Sequence, residues 1–234
     1  MKQPVAAIIG ATGTVGRGIA RALRASGWAI IAVGREGDRL ANLCDAFDGQ
    51  ITPVVGSVLD DRSAAKIAEE VARLQPALDA VITSINLPTI SHRLIETGSE
   101  DLGNLLSGNL VSHLCAARAF LPMLSENGRY IGLGGGMADA TVPGMGGVSM
   151  CQAAQRNMFR FLAQEYKGNG SIVELMLYSL IVDPVDEETS DPRWIRADEV
   201  GAHVLAVLDR PGDFPGPILT LKSRKQVGVP EQAQ

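Results

Sequence analysis

Features of secreted, membrane-spanning and metal-binding proteins are scarce in this chain. Its three cysteines, Cys44, Cys115 and Cys151, form no Cys-x-x-Cys pair. We therefore expect neither a disulfide framework nor a zinc site, and a reducing cytoplasm fits best. No apolar run approaches the roughly 20 residues of a membrane span, and the apolar stretch at the N-terminus is too short for a signal peptide. A net charge of −5, without a basic face, disfavours binding to nucleic acid.

What the chain does contain is an alternation of short apolar runs with longer helical patterns. Runs of strand length lie at 5–10, 28–34, 51–56, 78–85, 129–136, 171–182 and 217–221. Long helical patterns cover about 100–124, the stretch that follows "PGMGG" as far as Tyr166, and 197–208. Apolar strands separated by helices predict a doubly wound parallel sheet, buried on both faces. With 234 residues and no linker or repeat, we expect one α/β domain over 1–234, with a partly mobile polar tail at 222–234.

A glycine-rich loop directly follows the first predicted strand. In "GATGTVGRG" the first three glycines, Gly10, Gly13 and Gly16, stand three residues apart, between a predicted strand and a predicted helix. Glycine lets the backbone approach a pyrophosphate, and the helix N-terminus offers free N–H groups and the positive end of its dipole. We therefore expect a dinucleotide site, the alternative being a glycine-rich turn without a ligand. The loop residues expected at this site are Gly10, Thr12, Gly13, Thr14, Val15 and Gly16.

The end of the second predicted strand bears on the choice of dinucleotide. An NAD site is expected to have an acidic residue here, about 20 residues past the glycines, to bind the ribose hydroxyls. Gly34 and Arg35 occupy the strand end instead, followed by Glu36. A guanidinium can bind a 2′-phosphate with two hydrogen bonds, so NADP(H) is favoured over NAD(H). The alternative for Arg35 is an ordinary solvated surface arginine.

The chain resembles the short-chain dehydrogenase/reductase family along nearly its whole length. The resemblance rests on "GATGTVG", on "VGREGDRLANL" after the second strand, on "NLLSGNLVSHLCAARAFLPML" in the long helix, on "GRYIGLGGG" in the fifth strand, and on "DEVGAHVLAVL" with "GPILTL" near the C-terminus. It implies a single-domain Rossmann sheet of about seven strands, binding of NAD or NADP, and a homodimer or homotetramer formed through the helices beside strands four and five.

Carbonyl reductases of this family use a Ser, a Tyr and a Lys, supported by an Asn. The resemblance places the Tyr at Val148, the Lys at Gln152 and the Ser within Gly134–Gly136; only Asn109 retains the family residue. Valine and glycine cannot transfer a proton, and glutamine carries no charge that could stabilise a phenolate. The usual mechanism is therefore not available to this chain.

Other family segments are replaced as well. Thr83–Asn86 stands where Asn-Asn-Ala-Gly is usual, and Tyr178–Ser179 stands where Pro-Gly is usual. The acidic residue that usually lies near the adenine falls on Ser57, although Asp60 follows it. By position, the resemblance implies further contacts with the dinucleotide from Ser57, Val58, Ser84 and Gln152. For Ser84, packing or capping is the alternative.

Three residues are candidates for a substitute proton donor. His92 lies in the loop after strand four, where an imidazole titrates near neutral pH; a surface histidine is the alternative. Tyr178 ends strand six and carries a phenol; the alternative is a tyrosine that only anchors the strand end. Ser149 begins the helix that follows "PGMGG". The glycines of "PGMGG" and Gly134–Gly136 remove side-chain bulk, which would widen the pocket or let a ligand approach the backbone.

Three hypotheses follow for the function, and fold analogy alone does not choose among them. The first is an NAD(P)-dependent oxidoreductase acting on a small molecule, with Tyr178, His92 or water as the proton donor. The second is a non-redox enzyme such as a cyclase, isomerase or lyase. The third is a catalytically silent dinucleotide sensor or partner subunit. The intact loop favours the first and third, and we place the oxidoreductase first.

Overall fold

A seven-stranded parallel sheet forms the centre of the protein. The computed structural model describes residues 3–86, 92–184, 186 and 191–230. The strands of the sheet are β1 (Val5–Ile9), β2 (Ala29–Gly34), β3 (Ile51–Val55), β4 (Leu78–Thr83), β5 (Leu124–Gly135), β6 (Ser171–Leu177) and β9 (Ile218–Leu221). Their order is β3-β2-β1-β4-β5-β6-β9, and every neighbouring pair is parallel. The predicted Rossmann-like α/β fold of about seven strands is confirmed.

Helices cover both faces of this sheet. They are α1 (Thr14–Ala25), α2 (Gly37–Asp45), α3 (Asp61–Leu74), α4 (Ser99–Leu106), α5 (Ser112–Phe120), α6 (Gly146–Glu165) and α7 (Ala197–Asp209). All five residues of β1 are buried, because side chains on both faces of a central parallel strand meet helices. Alternate residues of the strands therefore enter two cores, with Ile8 among the side chains on one face and Ala7 on the other.

Two predicted elements are interrupted in the structure. The helix expected over 100–124 is divided by a π-helical turn, Ser107–Val111, and ends in a 3-10 turn, Leu121–Met123. The strand expected over 171–182 ends at Leu177. Beyond it, β7 (Ile181–Val182) leaves the main sheet and pairs in parallel with β8 (Ile195–Arg196). An apolar pattern continues through both interruptions, so the pattern alone did not reveal them.

Contacts hold the described part of the C-terminal segment against α7. The backbone N–H of Gly228 donates to Nδ1 of the buried His203, at 3.1 Å. The guanidinium of Arg224 donates to Glu199 at 2.8 Å. Arg224 and Gly228 thus contact α7, while 231–234 lie outside the described residues, and partial mobility of the segment 222–234 stays a prediction. Within the described part of the chain, no helix combines the length and apolar character that a membrane span requires.

Candidate functional site

The glycine-rich loop forms a close contact between β1, β4 and α1. Gly10 has a φ of +84°, and a Cβ there would collide with the backbone carbonyl of Ser84. A Cβ on Gly16 would lie 2.8 Å from the Cα of Ala11, so Gly16 allows α1 to pack against the loop. Gly13 caps α1 without a side-chain hydrogen bond. The first N–H groups of the helix therefore remain available for an anion.

A cavity of about 460 Å³ opens beside this loop. The sequence-predicted residues that line it are Gly10, Thr12, Gly13, Thr14, Arg35, Ser57, Val58 and Ser84. Gly16 lies behind the loop rather than on the cavity wall, in keeping with its packing contact. Ser57 also has a local role, since its Oγ accepts a hydrogen bond from the N–H of Leu59 at 3.2 Å. The loop, the ends of three strands and Arg35 thus converge on one cavity.

Two arginines line the outer end of this cavity. Arg35 is exposed at the end of β2. Arg39, one helical turn further on, donates to the carbonyl of Thr12 at 3.1 Å and pairs with Glu36 at 3.4 Å. Arg39 is not among the site residues predicted from sequence. Its place in the first turns of the helix that directly follows Arg35 was the signal that could have identified it.

A second cavity, of about 680 Å³, continues from the first. Both cavities are lined by Thr14, Ser84, Ile85 and Asn86, so together they form one elongated cleft. The second cavity has a largely apolar wall. Its apolar lining residues include Val15, Leu133, Met137, Met145, Val148, Leu177, Leu180 and Ile181.

Gly134 and Gly135, which end β5, and Gly136, which follows β5, line this cavity but open no extra space in it, in contrast to the wider pocket expected from sequence. Each glycine instead makes room for a side chain from another element. A Cβ on Gly134 would collide with the carboxylate of Glu174, and a Cβ on Gly135 would lie 2.5 Å from both heteroatoms of the Gln152 amide. A Cβ on Gly136 would lie 2.6 Å from Cδ1 of Tyr178. Polar side chains from β6 and α6 therefore fill the space that the glycines leave.

Glu174 is a fully buried carboxylic acid in the middle of β6. Neither of its carboxylate oxygens has a hydrogen-bond partner of normal geometry among the described residues. Burial raises the pKa of Glu174 to about 8, and the opposing effects of Arg156, the Gln155 amide and Arg160 do not reverse the shift. Glu174 is therefore mostly uncharged at neutral pH. The sequence signal for this buried acid is a glutamate inside the apolar run "SIVELML", and Glu174 is not among the site residues predicted from sequence.

The first turns of α6 present neutral groups to the second cavity. Val148 and Gln152 line the second cavity, and the buried Oε1 of Gln152 has no hydrogen-bond partner within the described residues. The hydroxyl of Ser149 points away to the carbonyl of Ala140, at 3.4 Å, and Ser149 does not line either cavity. Cys151 is buried, which raises the pKa of its thiol, and it contacts the carbonyl of Leu105. A thiol activated by the helix dipole is thus not present.

Tyr178 lines the second cavity with its ring, while its hydroxyl is bound elsewhere. The hydroxyl donates to Oδ2 of Asp139, and Arg156 holds the same carboxylate through two contacts of 2.6 and 2.7 Å. Burial and the neighbouring carboxylate raise the pKa of Tyr178. The Arg156 and Tyr178 hydrogen bonds lower the pKa of Asp139. A phenol in this setting is a poor acid, because the adjacent carboxylate disfavours the phenolate.

Asn109 lies in the π-helical turn and lines the second cavity. It is buried and donates through Nδ2 to the carbonyl of Leu105 at 3.1 Å. One turn later, Nε2 of the buried His113 lies 3.1 Å from the carbonyl of Ile85, in the segment shared by both cavities. Burial lowers the pKa of His113 to about 4. A neutral imidazole therefore anchors the middle of the cleft.

His92 is not brought to the cleft. It is exposed and lines neither cavity, and the preceding residues, 87–91, lie outside the described part of the chain. No group of three potential metal ligands occurs within the described ranges. The ionisable side chains on the wall of the second cavity are those of Tyr178 and Cys151, as far as the structure describes it.

Comparisons with known proteins identify the family of this chain. A family model described as enoyl-(acyl carrier protein) reductase matches residues 10–229. An alcohol dehydrogenase from Thermococcus sibiricus, complexed with 5-hydroxy-NADP, superposes with a TM-score of 0.81 at 21% identity, over 100% of both chains. A short-chain dehydrogenase/reductase double mutant from Serratia marcescens gives a TM-score of 0.82 at 16% identity, over 93% of this chain and 96% of the other. The oxidoreductase yciK from E. coli gives 0.81 at 16% identity, over 94% and 95%.

The comparison with curated proteins gave no match. The structural neighbours are too distant in sequence to transfer an activity, and they support the fold alone. The family model, in contrast, spans nearly the whole chain, from the first glycine of the loop to the C-terminal segment. The parallel sheet, the loop at the end of β1 and this match agree. The chain belongs to the short-chain dehydrogenase/reductase family.

Proposed function

We propose that the protein binds NADP(H) along the cleft and acts as an oxidoreductase whose active site lacks the Tyr and Lys of the family. The observation that carries this proposal is the continuity of the cleft. It runs from Arg35 and Arg39, past a helix N-terminus with free N–H groups, to an apolar cavity. The neighbour from Thermococcus sibiricus is described with an NADP derivative, which supports the same class of ligand.

The chain's residues fit such a dinucleotide. A Cβ on Gly10 would close the loop against Ser84, so the loop geometry requires glycine at this position. Thr12, Gly13 and Thr14 would face the pyrophosphate, and Ser57 and Val58 the adenine end. Arg35 and Arg39 would bind a 2′-phosphate, because guanidinium groups form strong, directional bonds with phosphate oxygens. Ser84 and Gln152 would contact the ribose near the second cavity.

A bound nicotinamide supplies hydride chemistry. The chain would orient the reactants, since the apolar wall of the second cavity would fix the position of a small-molecule substrate. Orientation of the reactants alone can substantially lower the activation barrier of the reaction. For the proton, we assign solvent water as the donor. Tyr178 is already hydrogen-bonded to Asp139, the Cys151 thiol is buried, and His92 and Ser149 lie off the cavity wall.

A dinucleotide-binding protein without catalytic activity is the second candidate. It is favoured by one observation: the ionisable groups described on the cavity wall are either engaged or buried. Such a protein would use the same loop and arginines. The absence of turnover, with binding retained, distinguishes it from the oxidoreductase.

We further propose that the protein is a homodimer or homotetramer in the cytoplasm. Val111 and Leu114 expose apolar side chains, 42% and 37% accessible, beside the π-helical turn. Met150 and Phe161 do the same on α6. Exposed apolar residues on adjacent helices are typical of contacts between subunits. Three free cysteines agree with a reducing compartment.

Fluorescence titration with NADPH and NADH tests the proposed function. We expect NADPH to bind more tightly than NADH and a panel of apolar ketones and aldehydes to be reduced slowly, measured by the loss of nicotinamide absorbance. Binding without any turnover would support the silent binder. Failure of both dinucleotides to bind at millimolar concentration would overturn both candidates.

A further inference from the structure

Arg17 forms hydrogen bonds with two segments that line different parts of the cleft. It lies in the first turn of α1, and its Nη1 donates to the carbonyl of Thr12 at 2.9 Å. Its Nη2 donates to Oδ2 of Asp183 at 2.6 Å. Thr12 belongs to the wall of the first cavity, and Asp183 directly follows β7, whose Ile181 lines the second cavity. One guanidinium thus bridges the glycine-rich loop and the β7 side of the second cavity.

This bridge is partly sheltered from solvent. The side chain of Asp183 is only 12% accessible, and that of Arg17 is 35% accessible. Arg21, one turn further along α1, brings a second guanidinium to 4.0 Å from the other oxygen of the same carboxylate. The planar fork of an arginine holds two acceptors in fixed directions. Because solvent reaches this carboxylate only in part, salt screens the pair less than it screens an exposed surface pair.

The cavity wall formed by residues 180–182 lies beyond the main sheet. The pairing of β6 with β9 ends at Leu177. In the described part of the chain, β7 pairs only with β8, and each of these strands has two residues, too few to hold a position by themselves. Ile181 also packs against the core, but apolar packing is non-directional. The pair of Arg17 with Asp183 supplies a directional contact between this wall and α1.

We propose that Arg17 is a positioning residue for a ligand that spans both cavities. By binding the Thr12 carbonyl and the Asp183 carboxylate together, it sets the distance between the glycine-rich loop and the wall at 180–182. A dinucleotide whose phosphates lie at the loop then meets a preformed wall in the second cavity, and preformed contacts lower the cost of binding. A ligand confined to the first cavity gains nothing from Asp183. This inference rests on the proposed function.

Two ligands with the same phosphates test this role separately from the proposed function. 2′-Phospho-ADP-ribose lacks the uncharged dihydronicotinamide of NADPH. A change of charge at position 183 therefore acts on the phosphates of both ligands alike, and the ratio of their dissociation constants reports on the wall. In calorimetric titrations we expect Asp183→Asn to weaken NADPH about fivefold relative to 2′-phospho-ADP-ribose, as is typical for the loss of one hydrogen bond. Asp213→Asn, which breaks an exposed pair with Arg210, is the matched control and should leave the ratio unchanged.

A double-mutant cycle tests whether Arg17 acts through Asp183. Arg17→Met should weaken both ligands, because the contact with the Thr12 carbonyl is lost as well, and it should shift their ratio as Asp183→Asn does. Adding Asp183→Asn to Arg17→Met should then change the ratio by less than about twofold, since the effects of residues that act as one pair are not additive. Arg17→Lys keeps the charge without the planar fork, so we expect it to shift the ratio in the same direction. This variant keeps the test decisive if Asp183→Asn does not fold.

Each alternative gives a different pattern. Equal losses for both ligands in Asp183→Asn would mean that the pair stabilises the loop or the fold alone, and would overturn the positioning role. No loss for either ligand would overturn it while the proposed function stands. Additive shifts of the ratio in the double variant would show that Arg17 does not act through Asp183, which also overturns it. If the wild-type protein binds neither NADPH nor 2′-phospho-ADP-ribose, the proposed function fails and this inference fails with it.

Discussion

The amide of Gln152 lies flat against the backbone of Gly135, so that a Cβ at position 135 would stand 2.5 Å from both its nitrogen and its oxygen. The two residues come from α6 and β5. By resemblance, Gln152 stands where the family has its Lys, and Gly135 belongs to the stretch Gly134–Gly136 where its Ser is expected. Glycine and glutamine are thus matched to each other: the missing side chain of one makes room for the other.

Gly135→Ala tests this match. We expect the variant to lose about 1–2 kcal/mol in the free energy of unfolding, because the Gln152 amide must move out of a packed position. The double variant Gly135→Ala/Gln152→Ala should lose less than the sum of the single variants, as expected for residues in contact. Urea denaturation measures the free energy of unfolding of the single and double variants. Gly103→Ala in α4, where a Cβ meets open space, is the control and should stabilise by about 0.5–1 kcal/mol. If the losses in unfolding free energy of the two single variants simply add in the double variant, the proposed match between Gly135 and Gln152 is contradicted.

The usual catalytic groups can be reintroduced in the same cleft. We expect the triple variant Gly135→Ser/Val148→Tyr/Gln152→Lys to reduce small ketones at least about 100-fold faster than the wild-type protein, because a positioned acid contributes 10²–10⁴-fold. The matched control replaces Val148→Tyr by Val148→Phe, which adds the same ring without the hydroxyl. Equal rates in the two triple variants would mean that any gain comes from the shape of the pocket alone.

Arg39 is expected to contribute to the preference for NADP(H). Arg39→Ala removes a guanidinium that lies at the cavity wall and is held by Thr12 and Glu36. Because the site is exposed, we expect about a five- to tenfold weaker affinity for NADPH, a smaller effect at high salt, and little change for NADH. Arg73→Ala, an exposed arginine on α3 away from the cleft, should change neither affinity. A parallel loss for NADH would argue against contact with the 2′-phosphate.

His113 should make the folded protein sensitive to acid. Its pKa falls from the ordinary 6.5 to about 4 on folding, so the unfolded chain takes up a proton before the folded one does. Its contribution to stability is complete above pH 6.5 and is lost as the pH falls towards 4, by an amount on the order of 3 kcal/mol. His113→Gln keeps a donor for the carbonyl of Ile85 without titrating. Denaturation between pH 7 and 4 should therefore show a shallower slope for this variant, and identical slopes would contradict the assignment.

Glu174 should have the opposite effect, on the alkaline side. Folding raises its pKa from about 4.5 to about 8, so the stability that it contributes is complete below pH 4.5 and is lost as the pH rises through 8, by a few kcal/mol. We expect Glu174→Gln to unfold at a higher temperature than the wild-type protein at pH 8–9, with the difference disappearing near pH 4. Glu165→Gln, an exposed residue of α6, is the control. A difference independent of pH would point to packing instead of ionisation.

Much of the fold was accessible from local patterns. The apolar runs, each bounded by glycine or polar residues, correspond to the strands of the sheet, and the loop from Gly10 to Gly16 has the expected position at the end of β1. The interruptions at Ser107–Val111 and after Leu177 were missed. The periodicity of apolar residues is recognised only over many residues, so it does not reveal a single irregular turn.

The candidate site was accessible only in part. The residues of the loop, with Arg35, Ser57 and Ser84, do converge on one cavity. His92 and Ser149 do not reach its wall, and the hydroxyl of Tyr178 is already bound to Asp139. Asp139, far from Tyr178 in sequence, offers no spacing pattern that could predict this hydrogen bond. Such a contact depends on how β5, β6 and α6 pack.

The sequence by itself determined the fold class and the glycine loop, and by resemblance it predicts that Val148 and Gln152 stand where the family has its Tyr and Lys. These properties follow from residue identity and short-range periodicity. Only the tertiary structure decided what occupies the space beside Gly134, Gly135 and Gly136. The register of β5 with β6 and the packing of α6 over both strands bring Glu174, Gln152 and Tyr178 to these glycines. Because contacts between such distant residues arise from the pairing of whole elements, no local pattern records them.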